Sequence, residues 1–359
     1  MKIAVYAIAL DERKFIERFV ESAADADLIF IADTGSTDGT LETLEELANR
    51  EYCAGLIRVQ SIHVKPWRFD DARNTALALL PPDIDVCVSL DIDEVLQPGW
   101  REEIERVWSS GTTRLRYGFD WGCGIAFQYE KIHARFGYRW SCPVHEYPVP
   151  DRITEVWANT DKLLVVHQPD PEKSRGQYLD LLRISVEENP TEPRNAFYYG
   201  RELSFRGEWL LAIKECRRYL DLPRANWPNE RCYAMRIIAR SHQELGQWTD
   251  ALKWARDACS EAPETREPWY DLALACYRTS RWSECLGAAL TCLSITRREK
   301  VYTVDPAVWG SAPHDLASIA AYNVGQYALA LEHAEKAVGL EPDNLRLRQN
   351  LAFCEGKAA

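Results

Sequence analysis

The sequence lacks the features that mark several common protein classes. It has no run of about 18 apolar residues, so no segment is predicted to span a membrane. The strand-like run at residues 3–8 is not preceded by the basic segment and long apolar core of a signal peptide. Its eleven cysteines include no CxxC pair and no zinc-finger spacing, and their odd number and scatter favour a reducing compartment. Together these absences predict a cytoplasmic protein.

An excess of positive charge is also missing. The 43 Lys and Arg residues are outnumbered by 55 Asp and Glu residues, which gives a formal net charge of −12. A chain with this balance has no general attraction for nucleic acid or anionic lipid, although a local basic patch stays open. No GxGxxG motif follows a strand and no GxxxxGK[ST] occurs, which disfavours a dinucleotide site or a P-loop ATPase.

The first hundred residues alternate between strand-like and helix-like segments. The apolar strand-like runs lie at 3–8, 28–32, 56–64 and 86–90. The amphipathic, helix-like segments between them lie at 13–23, 41–49 and 69–80. This order predicts a parallel, doubly wound α/β sheet that binds ligands at the carboxyl ends of its strands. Later patterns predict further strands near 112–119, 125–129 and 163–167.

Polar residues gather at the ends of these predicted strands. They are Asp33, Ser36, Asp38, Arg73, Asn74, Asp91 and Asp93. Asp91 and Asp93 are two residues apart, so on an extended backbone both side chains would leave the same face. Paired carboxylates there suit Mg²⁺ or Mn²⁺ completed by substrate phosphates, and the alternative is a solvated turn. Asp33 has two corresponding roles open to it, contact with a nucleobase or ribose and capping of the next turn.

Four segments carry a combined signal, and they read IADTGSTDGT at 31–40, WRFDDARNTAL at 67–77, SLDIDEVLQPGW at 89–100 and RWSCPVHEYPV at 139–149. Together they resemble glycosyltransferase family 2, and more narrowly its bacterial and phage branch with tetratricopeptide repeats after the catalytic domain. The resemblance implies a GT-A fold and a nucleotide-sugar donor, with a UDP-sugar as the first expectation. It implies that Asp91 and Asp93 form the DxD motif that holds Mn²⁺ or Mg²⁺ against the donor diphosphate.

The resemblance also assigns the other donor-site residues. The nucleoside-binding strand end corresponds to Asp33 and the loop with Ser36 and Asp38, and the segment facing the ribose and diphosphate corresponds to Arg73 and Asn74. His167 matches the late histidine that completes the metal site in many GT-A enzymes. The segment Leu10-Asp11-Glu12 departs from the Asn-Glu that usually follows the first strand.

Catalysis in this family inverts the anomeric centre, so one displacement and one general base suffice. An acceptor hydroxyl, thiol or amine would attack the anomeric carbon while a carboxylate takes its proton. Glu146 stands where that carboxylate is expected, and its alternative role is a salt bridge in an aromatic-rich loop. Asp93, Glu94 and Asp120 are the other candidates for the base.

The second half of the chain repeats a helical pattern. Its aromatic anchors are Trp209, Trp248, Trp282 and Tyr327, with spacings of 39, 34 and 45 residues. These spacings correspond to a unit of about 34 residues with two insertions, around 224–229 and 297–313, which is the tetratricopeptide signature. Stacked repeats form a concave surface that can bind an extended acceptor or mediate dimerisation.

The predicted organisation is therefore a GT-A domain at 1–170, a linker helix at 171–190 and an all-α tetratricopeptide solenoid at 191–359. The favoured function is a metal-dependent inverting glycosyltransferase whose repeats help to present the acceptor. The alternative is a peptide-binding scaffold with a catalytically silent nucleotide-sugar domain, and a sugar-phosphate nucleotidyltransferase is disfavoured because residues 9–14 lack glycine. Peptide or protein, glycan and modified DNA all stay open as acceptors.

Overall fold

The structure is a computed structural model that describes residues 1–50, 53, 55–170 and 176–358. The chain divides into two compact units, Met1–Ser185 and Val186–Ala359. The division falls within the segment predicted as a linker helix. Residues 171–175 of that segment lie outside the described residues, and a helix follows from Tyr178 to Glu188. The exact domain bounds given above stay a prediction.

The N-terminal unit combines strands and helices along the chain. Its described strands are β1 Ile3–Ala9, β2 Leu28–Asp33, β3 Ile57–Ser61, β4 Val86–Ser89, β5 Glu94–Leu96, β6 Arg114–Gly122, β7 Ile125–Ala134, β8 Tyr138–Ser141, β9 Tyr147–Pro150 and β10 Trp157–His167. Its helices are α1 Arg13–Ser22, α2 Thr40–Ala48, α3 Phe69–Leu79, α4 Trp100–Val107 and α5 Tyr178–Glu188. The predicted α/β class is confirmed.

Eight strands form one sheet in the order β3-β2-β1-β4-β7-β6-β10-β5, and β8 pairs with β9 in a separate hairpin. The first four strands of this order are parallel, as the alternating pattern predicts. The other half is mixed, because β6 and β7 form a tight hairpin whose strands must run antiparallel. The short strand β5 and the β8–β9 hairpin had no counterpart in the sequence prediction.

Helices cover both faces of the parallel half, which explains its nearly continuous apolar strands. Alternate residues of β1 enter different cores because successive side chains of a strand point to opposite faces. Val5 and Ala7 pack in the core that also contains Phe19 of α1. Ala4 and Tyr6 pack in the opposite core, which contains Ala76 of α3. The carboxyl ends of these strands are thereby held at one edge of the sheet.

The C-terminal unit is built from antiparallel helix pairs. Its described helices are α6 Pro193–Phe205, α7 Trp209–Asp221, α8 Pro228–Glu244, α9 Trp248–Glu261, α10 Arg266–Arg278, α11 Trp282–Ser294, α12 Ala312–Asn323, α13 Tyr327–Leu340 and α14 Leu345–Ala358. Each helix packs on the next, and α6, α8, α10 and α12 also contact one another in series. This stacking is the predicted all-α solenoid, with α6, α8, α10 and α12 forming one layer.

The aromatic anchors mark the start of the second helix of each pair. All four, Trp209, Trp248, Trp282 and Tyr327, occupy the first position of α7, α9, α11 and α13. Three of the turns before them have glycine with positive φ two residues earlier, at Gly207, Gly246 and Gly325. The third pair has Ser280 at this place with a φ of 57°, so a serine adopts a conformation that favours glycine.

The longer insertion folds back on the solenoid, and we call residues 295–311 the inner strap. The Tyr302 hydroxyl donates to Glu230 of α8, and its ring lies 6.4 Å from that of Tyr198 of α6. The backbone N–H of Asp305 donates to Glu267 of α10 at 3.1 Å. The strap therefore lies against three helices of one layer. Among the described helices none is long and apolar enough to cross a bilayer.

Ser280→Gly should stabilise the C-terminal unit by about 0.5–1 kcal/mol. A residue with a side chain costs roughly 1–2 kcal/mol in the left-handed conformation, and glycine removes this cost. The gain exceeds the free-energy cost of the extra conformational entropy that glycine gives to the unfolded chain. Urea unfolding of the full chain measures the change. The reciprocal variant Gly246→Ser should destabilise by a similar amount, and an unchanged midpoint in both would contradict the backbone argument.

Candidate active site

A single arginine, Arg73, joins two other residues predicted from the sequence. Arg73 of α3 is only 2% exposed, and its guanidinium donates to Asp91, in the turn after β4, and to Glu146, between β8 and β9. The contact from Nε to Glu146 Oε1 measures 2.5 Å, and a further N–H donates to Ser89 Oγ at 3.2 Å. Burial opposes the charge of Arg73, yet the two carboxylates raise its pKa well above the usual range.

Two further contacts fix the position of this arginine. Its guanidinium lies 4.8 Å from the ring centre of Trp140, a fully buried residue of β8. The neighbouring Asn74 donates from Nδ2 to the carbonyl of Trp140 at 3.0 Å and accepts from its N–H at 2.8 Å. The side chain of Asn74 thus pairs with a β8 backbone unit rather than projecting toward a ligand. Its predicted contact with ribose or diphosphate stays a prediction.

Lys131 of β7 is a site residue that the sequence reasoning missed. Its Nζ lies 3.0 Å from Asp91 Oδ2 and 3.4 Å from Glu94 Oε1. Partial burial would raise the pKa of Asp91, but Lys131 and Arg73 hold it well below its usual range. Burial raises the pKa of Glu94 to about 7, against the opposing effect of Lys131. A buried lysine in a strand gives no spacing signal, because its partners come from distant segments.

The paired aspartates lie in a turn and not on an extended strand. β4 ends at Ser89, and the N–H of Glu94 closes the turn on the carbonyl of Asp91 at 2.9 Å. The argument that spacing of two puts both carboxylates on one strand face is therefore wrong. Asp91 faces Arg73 and Lys131, whereas Asp93 faces His167.

His167 at the end of β10 meets Asp93, with 3.4 Å between Nε2 and Oδ2. Burial lowers the pKa of His167, but the hydrogen bond to Asp93 raises it above its usual value. Two ligands of one ion at about 2.1 Å lie about 3 Å apart, so this pair fits neighbouring positions around a divalent cation. No third acidic, histidine or cysteine side chain completes a metal cluster within the described residues. Substrate phosphates and water commonly supply the other ligands of Mg²⁺.

The loop after β2 contains the other predicted donor-site residues. Asp33 accepts from the N–H groups of Gly35 and Ser36 at 2.9 and 3.1 Å. Asp38 accepts from the N–H groups of Arg13 and Thr40, both at 3.0 Å. These carboxylates build the loop itself, so the turn-capping alternative for Asp33 is confirmed as at least one of its roles. Contact with a nucleoside stays a prediction.

The divergent segment near residue 11 takes part in the same loop. Asp11 has a φ of 54°, and its carboxylate accepts from the N–H of Thr37 at 2.7 Å. Its own N–H donates to Ser36 Oγ at 2.9 Å. Glu12 donates its N–H to Thr40 at 2.9 Å. The departure from Asn-Glu therefore leaves the loop connected to the end of β1.

Comparison with known families adds an independent observation to this geometry. Residues 5–116 match the family model described as Glycosyl transferase family 2. The chain contains a family 2 glycosyltransferase domain. The matched region includes β1 to β4 and the turn with Asp91 and Asp93, and it ends before Lys131 and Glu146. A comparison with curated proteins finds no match.

Several solved structures show a limited similarity to this chain. One is YrrB, described as a TPR protein with an unusual peptide-binding site, which is 15% identical in sequence. The match covers 48% of this chain and 81% of the YrrB chain, with a TM-score of 0.38. A MamA fragment from Desulfovibrio magneticus RS-1 is 16% identical, with coverages of 52% and 88% and a TM-score of 0.37. The repeat architecture described here rests on the helix pairs and turns of this chain itself.

Arg73→Ala should lower the free energy of unfolding of the N-terminal unit by roughly 3 kcal/mol or more, because it leaves Glu146 without its buried partner. Chemical unfolding monitored by circular dichroism measures the loss. Arg73→Lys should cause a smaller loss than Arg73→Ala, because lysine keeps the charge but cannot bridge two carboxylates with a planar fork.

The matched control for this prediction is Arg106→Ala. Arg106 also pairs with a glutamate, Glu103, but its side chain is 58% exposed, so the expected loss is under about 1 kcal/mol. Equal losses for the two arginines would contradict the central position of Arg73.

Proposed function

We propose that this protein is a metal-dependent, inverting glycosyltransferase that uses a nucleotide-diphosphate sugar, with a UDP-sugar as the first candidate. The observation that carries the proposal is the ion-pair cluster of Arg73, Asp91 and Glu146, which adjoins the Asp93–His167 pair through one turn. A family 2 glycosyltransferase domain supplies the general chemistry, and this cluster supplies charged groups of the expected types.

Asp93 and His167 are the residues that would hold Mn²⁺ or Mg²⁺. When bound, such an ion neutralises the negative charge that develops on the departing diphosphate. Asp91 is the third predicted ligand, and its two oxygens already contact Arg73 and Lys131. We therefore assign Asp91 first to fixing the turn, which holds Asp93 in place. Direct contact of Asp91 with the ion stays a prediction.

Glu146 is our candidate for the general base. Its Oε1 accepts from Arg73, and no hydrogen bond to Oε2 is found within the described part of the chain. An acceptor hydroxyl, thiol or amine would transfer its proton to this oxygen while it bonds to the anomeric carbon. The bond from that carbon to the diphosphate breaks in the same displacement, which inverts the configuration.

The solenoid is proposed to help bind the acceptor. A groove of about 320 Å³ lies along α8 and α10 and is lined by Tyr233, Tyr270, Arg240 and Arg278. Arg278 donates to the neutral amide of Gln243, and neither Arg240 nor Arg278 pairs with a carboxylate among the described residues. The groove also contains Arg236, Glu244, Asp271 and Asp305, so its charges balance overall. It therefore suits a polar peptide or protein segment whose carboxylates reach Arg240 and Arg278. A glycan or modified DNA is a less natural acceptor for these walls, and self-association through the repeats stays a further proposal.

Asp93→Asn should weaken Mn²⁺-dependent binding of the nucleotide by about tenfold or more, because one charged ligand is lost. Glu146→Gln should keep this binding but lower the turnover of donor hydrolysis by about 10²–10⁴-fold, since it removes the base and retains the hydrogen bond to Arg73. Calorimetry with UDP and Mn²⁺ and a hydrolysis assay over a panel of nucleotide sugars measure the two effects.

Asp83→Asn is the control for these variants, because Asp83 is an exposed aspartate that pairs with Lys2. It should change neither binding nor hydrolysis. If the wild-type protein binds no nucleotide sugar with either metal, the enzyme assignment fails. If it binds one but neither hydrolyses nor transfers it, the scaffold alternative with a catalytically silent domain takes its place.

Replacing both Arg240 and Arg278 by Glu should leave donor hydrolysis unchanged and lower transfer to acceptors in a cell extract by about tenfold. Incorporation of radiolabelled sugar into macromolecules measures transfer. Lys214→Glu makes the same kind of charge change on α7, outside the groove, and should have no effect. Normal transfer by the double variant would refute the acceptor role of the groove.

A further inference from the structure

The outer end of the β6–β7 hairpin has an aromatic surface that the proposed mechanism does not use. Phe119, Phe127 and Tyr129 pack against one another with ring centres 4.9–5.7 Å apart. Phe119 is only 1% exposed, so this group is anchored in the sheet. Trp121 extends this surface outward, and its ring centre lies 6.2 Å from the ring centre of Phe119. The Trp121 residue is 40% exposed.

Trp121 lies directly beside the candidate metal pair. Its ring centre is 4.3 Å from that of His167, whose Nε2 is 3.4 Å from Asp93. A single exposed aromatic side chain is ordinary on a protein surface, so exposure alone carries no weight. The contact with His167 matters because it places the indole next to a residue assigned to the ion that would hold the diphosphate.

The hairpin turn leaves this indole uncovered. Three consecutive residues, Gly122, Cys123 and Gly124, have positive φ values of 88°, 51° and 78°. Such a turn brings β6 back into β7 with the smallest side chains next to Trp121. The exposed part of the indole is therefore available to a ligand that extends from the diphosphate.

We propose that Trp121 stacks on the sugar of the nucleotide-sugar donor and so determines which sugar the site accepts. The aliphatic C–H face of a pyranose ring is slightly positive, and the face of an indole is negative, so the two attract each other while both leave water. The inference rests on the proposed function, because it requires the diphosphate to bind at Asp93 and His167.

Trp157 provides a matched comparison on the same sheet. It is 36% exposed, close to the value for Trp121, but it lies at the opposite end of β6, paired with Arg114. The guanidinium groups of Arg114 and Arg116 lie 4.8 and 5.0 Å from its ring centre. Its aromatic faces are occupied by cations of its own chain, so it is not a sugar platform.

The test compares each nucleotide with its sugar conjugates in the full-length protein. Calorimetry with Mn²⁺ gives the affinities for UDP, UDP-glucose and UDP-N-acetylglucosamine, and for GDP and GDP-mannose. Trp121→Ala should weaken binding of the preferred sugar conjugate by about five- to tenfold, and binding of the corresponding nucleotide by less than about twofold. Trp121→Phe should restore most of the affinity, and Trp157→Ala should leave both affinities unchanged.

The outcomes separate this inference from the function on which it rests. Unchanged conjugate affinity in Trp121→Ala, or equal weakening of nucleotide and conjugate, overturns the role of Trp121 alone. An equal selective loss in Trp157→Ala overturns it as well. If the wild-type protein binds none of these compounds, the proposed function fails and the inference fails with it.

Discussion

One buried guanidinium holds the candidate site together. Arg73 comes from a helix, and its two carboxylate partners come from a turn after β4 and a loop between β8 and β9. A planar fork with several donors can satisfy two acids in different directions, whereas a point charge cannot. Trp140 below the guanidinium and Asn74 beside it fix the helix against β8. Three distant segments thus reach one position only if this ion-pair cluster forms.

The same arrangement gives Asp91 and Asp93 different electrostatic environments. Asp91 has two cationic neighbours, Arg73 and Lys131, so its charge is balanced within the protein. Within the part of the chain that the structure describes, the ion-pair partner of Asp93 is His167, whose charge depends on its protonation. Under the proposed function, a divalent cation that arrives with the donor would find uncompensated negative charge at Asp93. The network around Asp91 then acts as a rigid support, as preorganised electrostatic sites require.

Sequence reasoning succeeded where the signal is local. The glycine and aromatic pattern before each second helix predicts the helix starts, because a left-handed turn residue and the anchor act on their own segment. Family resemblance also singled out Arg73, Asp91 and Glu146, which the structure brings into contact, and their functional roles stay predictions. Sequence reasoning could not find Lys131, since pairing of β7 with β4 brings this residue to the site. It misjudged the backbone at Asp91 and Asp93, because alternation on a strand does not reveal where the strand ends.

The inner strap changes how the solenoid is expected to unfold. In a simple repeat array each unit contacts only its neighbours, so ends can fray independently and stability is a sum of local terms. Here Asn229 of α8 donates to Glu299 of the strap at 2.5 Å, and Tyr302 reaches back to Tyr198, 104 residues earlier. These long-range contacts close a loop around the first three helix pairs. That part of the array should therefore melt as one cooperative block, to which α12 is also linked because Pro306–Trp309 of the strap contacts it.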